Sequence, residues 1–138
     1  MALSIHNAKG LQGLAAQAEV KSMTAGGTIV AGDWVALTGT TVVQADDDSP
    51  STISAIGVAL EAAVDGAAVR VCVAGQVTAN VTTGTAAGES ITIGGEAGRA
   101  IPFDNDAGGG EGDGGVCGIC VTLAAGHLAT VIVSPRSY

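Results

Sequence analysis

The sequence predicts an all-β protein: a small β-barrel or sandwich with an internal duplication, behind an extended N-terminal arm. Three observations carry this. Ala (25), Gly (22) and Val (16) dominate the 138 residues, and helix formers other than Ala are scarce. Val69, Val71 and Val73 alternate with Arg70 and Cys72, the period of a strand with one buried face. Short apolar runs recur between glycine turns, the spacing of strands rather than helices.

Residues 1–20 differ in composition from the rest and are read as an arm, with residues 21–138 as the β domain. Leu11, Leu14, Ala15 and Ala18 have helical spacing, but Gly10 and Gly13 weaken a helix. Strand signals begin near Val20. A short strand over 28–30 ends at the turn Ala31-Gly32-Asp33. Trp34-Val35-Ala36-Leu37-Thr38 follows, then Gly39 and a second apolar run over 41–45. Asp46-Asp47-Asp48-Ser49-Pro50 reads as a loop, 56–60 as a strand and Val64-Asp65-Gly66 as a turn. The valine strand comes next, with Arg70 on the face opposite its valines.

The second half repeats this order. Gly32-Asp33-Trp34-Val35-Ala36-Leu37 lines up with Gly88-Glu89-Ser90-Ile91-Thr92-Ile93, an offset of 56. Gly57-Val58-Ala59-Leu60 lines up with Gly118-Ile119-Cys120-Val121, an offset of 61. Residues 67–73 and 128–133 close the two copies, and the five extra residues fall in the glycine-rich acidic loop 104–115. That loop is expected to be the most mobile internal segment.

Charge and composition exclude several functions. Thirteen acidic against five basic residues leave net charge −8, the wrong sign for phosphate neutralisation, so no nucleic-acid partner is expected. One Trp, one Tyr and one Phe are too few for a stacking platform. No apolar run reaches about 18 residues, so no membrane span is expected. Lys9 has no apolar core behind it, so no secretory signal is expected either. Small side chains make a thin core, which suggests that partner subunits contribute to stability. Three cysteines are an odd number and fit a protein made in a reducing cytoplasm.

Candidate chemistry is sparse. Cys117-Gly118-Ile119-Cys120 has the spacing of half a zinc site, but its second half is missing. In a strand, residues three apart face opposite ways, so both cysteines, with Cys72, read as small core residues, reduced and metal-free. Asp46-Asp47-Asp48 could meet a hard cation, but an EF-hand counted from Asp46 puts Ser51 and Gly57 where Gly and Glu are needed. Residues 108–115 lack the Lys-Ser/Thr pair of a phosphate loop. His6, His127 and Ser90 form no recognisable catalytic set, so no enzyme activity, cofactor or metal is expected. Trp34 is either the one large core residue or an interface anchor, and Arg70 is a candidate for ion pairing between subunits.

The run Ala55-Ile56-Gly57-Val58-Ala59-Leu60-Glu61-Ala62-Ala63, with Gly66 and the valine strand to Gly75, resembles the capsid cement (head decoration) proteins of tailed phages and related viruses. So do Ala31-Gly32-Asp33-Trp34-Val35-Ala36-Leu37 and the ending Gly118-Ile119-Cys120-Val121 with 122–135. The likeness spans residues 20–135 and lies in backbone grammar. It departs in the first 20 residues, at Trp34, where an aliphatic is usual, and in the longer 108–115 loop. It implies a structural virion protein that binds the outer surface of the assembled capsid and stabilises it without catalysis. The implied partners are the major capsid protein and further copies of the chain, as a homotrimer first and a dimer second. The arm, through Leu3, Ile5, Leu11 and Leu14, is the expected capsid-binding segment, because an extended arm can pair with an exposed strand edge. The alternative is a surface- or carbohydrate-binding β module, such as a fibre or adhesin piece.

Overall fold

The computed structural model describes residues 18–48, 52, 54–103 and 115–134. Nine strands and no helix occur among them: β1 (Glu19–Ala25), β2 (Trp34–Thr38), β3 (Thr41–Gln44), β4 (Ala55–Ala59), β5 (Ala68–Asn80), β6 (Ser90–Ile93), β7 (Ala100–Pro102), β8 (Gly118–Cys120) and β9 (Leu128–Val133). Pairing begins at Glu19, just inside the stretch read as arm, and the segment 28–30 contributes only a single bridge, Ile29 with Ala63. The arm residues Leu3, Ile5, Leu11 and Leu14 and most of the 104–115 loop lie outside the described residues.

Strand β5 is 13 residues long and serves two units. Its first half pairs with β1 and β4, and the order β1-β3-β2-β4-β5 returns to β1 as a closed five-stranded barrel. Its second half pairs with β9 and continues through β8 and β6 to β7. The ladders are the same in both units. β2 pairs with β3 and β4 as β6 pairs with β7 and β8, all antiparallel. The parallel pairing of β1 with β3 returns as a single parallel bridge between Val81, just past β5, and Ala100.

Individual hydrogen bonds repeat at the offsets read from the sequence or within one residue of them. Gly32 N–H donates to Ala59 O at 2.8 Å, and Gly88 N–H donates to Cys120 O at 2.7 Å. Ala59 N–H reaches Asp33 O at 2.8 Å, as Cys120 N–H reaches Glu89 O at 2.9 Å. Leu60 donates to Arg70 O and Val121 to Thr130 O; Ala25 donates to Ala67 O and Val81 to His127 O. The internal duplication is therefore present bond by bond. Gly32 and Gly88 hold matching positive φ angles of 92° and 90°, a backbone state that β-carbons disfavour.

Two apolar clusters fill the units. Val35, Val42, Ala59, Val69 and Val71 point into the closed barrel. The alternate residues of the same strands, Trp34, Ala36, Val58 and Cys72, point out of it. They join Ile91, Ile93, Cys120 and Val131 in a single cluster, so the second unit is folded over the outer face of the first.

Candidate functional site

Trp34 opens β2 directly after the 31–33 turn, so its ring faces the second unit. It is 0% exposed, and its indole N–H donates to Asn80 O at 3.1 Å. The structure gives it the core role of the two considered. No part of the ring is left on the surface of the single chain to anchor a partner. Asp33, beside it, is also buried; its Oδ2 accepts from Val30 N–H at 2.9 Å and from the Gln44 amide at 2.7 Å.

Arg70 lies on the exposed face of β5, as its alternation with the valines requires. Its guanidinium makes two bonds of 3.2 Å to the Glu61 carboxylate, which also accepts the Arg70 N–H at 2.9 Å. Within this chain Arg70 thus has an ion-pair partner, nine residues back across the β4–β5 connection. Hydrogen bonding to Arg70 lowers the Glu61 pKa, and the same bonds raise that of Arg70. Both side chains are well exposed, so solvent screens the pair.

Cys72, Cys117 and Cys120 are all buried. The opposite-face expectation for Cys117 and Cys120 is corrected: both turn inward, because Cys117 precedes the three-residue β8 and escapes its alternation. Burial pushes the thiols of Cys72 and Cys120 up, which disfavours the reactive thiolate. Asp46, Asp47 and Asp48 bring carboxylate oxygens within 4.8 Å of one another. Asp48 N–H donates to Asp46 Oδ1 at 3.2 Å, so this cluster is built as a local turn.

The described surface also exposes several large apolar side chains. At one end of the barrel, around the Ile29–Ala63 bridge, Val30 and Val64 are 55% and 67% exposed and line a shallow groove with Thr28 and Ala62. On the outer face of the second unit, Ile119 and Ile132 sit side by side, 42% and 43% exposed.

No protein-family model matches the sequence, and no curated protein matches it significantly. A solved structure does. The fold is similar to that of the head fiber gp8.5 N base of bacteriophage phi29.

The TM-score to the gp8.5 N base is 0.58 at 18% identity, over 86% of this chain and 98% of that one. At that identity the likeness is one of fold. It spans nearly the whole gp8.5 N base. Sequence reading singled out Trp34 and Arg70 and passed over Phe103, Ile119 and Ile132. The signal was available in the duplication, since Ile119 stands where the first unit has Val58.

Proposed function

We propose that this protein is a structural component of a phage head that binds the outer surface of the assembled capsid and stabilises it, a decoration or cement role that needs no catalysis. The observation that supports this reading is the fold shared with the phi29 gp8.5 N base, which by its name is part of a head fiber. The cement-protein resemblance of residues 20–135 points the same way. In this reading a rigid double β unit forms the body, and Leu3, Ile5, Leu11 and Leu14 of the arm bind the major capsid protein by strand pairing and apolar burial. Many copies on one shell make modest affinity sufficient, and a homotrimer adds avidity and matches a threefold lattice position.

The test is cosedimentation with assembled shells that lack the protein. Saturable binding and slower heat disruption of the decorated shells are expected. A full-length variant carrying Leu11→Asp and Leu14→Asp should bind weakly while keeping the strand spectrum. Absence of binding to any assembled shell would overturn the reading.

The name of the gp8.5 N base favours one second reading, a surface module at the base of a fibre. A positive glycan-array signal without shell binding would select it.

A further inference from the structure

Strand β1 runs antiparallel to the first half of β5, from Glu19 beside Ala74 to Thr24 beside Ala68. At its Glu19 end lies Gly75, where β5 passes from one unit to the other with a φ of 108°. Two stretches of chain converge on this glycine. A Cβ on Gly75 would lie 2.8 Å from the Ala18 Cα, and Gly75 pairs with Val133, the last residue of β9. Ser134 follows, and its N–H donates to Cys117 O at 3.1 Å. Residues 1–17 and 135–138 therefore join the body at one place.

The other end of the barrel differs. Ala25 N–H bonds Ala67 O there, and the Ile29–Ala63 bridge lies beyond, so the length of β1, about 20 Å, separates the two ends. That far end carries the Val30–Val64 groove, followed in the chain by Asp65. The charges divide along the same line. Lys9 and Arg136 are the charged residues of 1–17 and 135–138, which hold no acid; all thirteen acidic residues and the other three basic ones fall in 18–134.

We propose that residues 135–138 act with the arm as one attachment element, and that the shell face it takes is a protein surface rich in carboxylates. This rests on the capsid reading above and adds to it a second segment and the charge of the partner. An acidic face repels the acidic body and attracts the two stretches joined at Gly75, so charge turns that end toward the shell and the Val30–Val64 groove away from it. Arg136 lies only two residues past Ser134, so its charge stays at this end of the barrel. Arg136 and Tyr138 are also of the residue types that anchor interface centres. Two cations are too few to neutralise a run of phosphates, so nucleic acid is the poorer match.

The experiment is cosedimentation with assembled shells that lack the protein, on full-length variants across a sodium chloride series. The parent is expected to bind, and to bind less as salt rises. Lys9→Glu with Arg136→Glu should weaken binding by about tenfold or more and flatten the salt dependence. Arg136→Glu with Tyr138→Ala leaves the arm whole and should weaken binding by about threefold or more, with Arg136→Gln a milder step in the same direction. Val30→Glu with Val64→Glu makes the same change in net charge at the far end and should alter binding by less than about twofold. Every variant should keep the parent's far-ultraviolet spectrum. A parent that binds no shell overturns the capsid reading and this inference with it. If the parent binds, three results overturn this inference alone: full affinity in the Arg136 and Tyr138 variants, tighter binding when Lys9 and Arg136 are reversed, or an equal loss in the Val30 and Val64 variant.

Discussion

Gly57 and Gly118, 61 residues apart, meet the same neighbour: each lies against a carbonyl oxygen of the strand that closes its own unit. A Cβ on Gly57 would overlap the Cys72 oxygen, and one on Gly118 would lie 2.5 Å from the Ile132 oxygen and 3.3 Å from the Trp34 ring. Backbone cannot retreat as a side chain can, so any Cβ here must push two hydrogen-bonded strands apart.

Gly57→Ala and Gly118→Ala are therefore each expected to destabilise the fold, by about 1–3 kcal/mol, the range for forced overpacking. Thermal melts followed by circular dichroism provide the check. A melting temperature equal to the parent's for either variant would show that the strands can separate freely.

Trp34 fills the junction of the two units and is the largest fully buried side chain among the described residues. Trp34→Ala should cost about 3–5 kcal/mol. It also removes the bond to Asn80 O. Trp34→Phe should cost less, because most of the volume survives. As the sole Trp, it should emit at short wavelength in the native protein and shift red on unfolding. Red-shifted native emission would contradict its burial.

Asp33 and Glu89 hold the same post in the two units, each accepting the N–H of the residue three back: Val30 at 2.9 Å and Ala86 at 2.6 Å. Their surroundings differ. Asp33 is 3% exposed and also accepts from Gln44, so Asp33→Ala removes the acceptor of two part-buried donors, at about 1–3 kcal/mol. Glu89 is less buried, and Glu89→Ala should cost clearly less. Urea titrations of both variants decide the order, and the reverse order would refute it.

Burial holds the Cys72 and Cys120 thiols neutral in the folded chain and raises both above the ordinary value of 9.0. Alkylation near pH 7.5 should be slow in native protein and complete in urea. The linkage has a definite sign. In the unfolded chain the thiols ionise first, so the native state binds more protons above pH 9 and loses stability as pH climbs through that range. Rapid native labelling of either cysteine would count against this, as would stability that is flat from pH 8 to 10.

Much of the architecture could be read before any coordinates. Alternating valines, glycine turns and two offsets predicted the strands and their repetition, because a strand's period and a tight turn's φ are local properties. The core cysteines were legible for a similar reason: the CxxC lacked the partners that a metal needs. The inward turn of Cys117 was not, since it depends on where β8 begins.

The sequence by itself determined an all-β chain and two copies of one hydrogen-bonding grammar. Only the tertiary structure decided that β5 is shared and that the second unit folds over the first. That one packing event separates residues that the repeat makes equivalent. Trp34, Val58 and Cys72 became core, while Ile119 and Ile132 stayed on the surface. A strand's alternation says which side chains share a face. It cannot say which face another element will cover, because coverage depends on contacts between residues far apart in the chain.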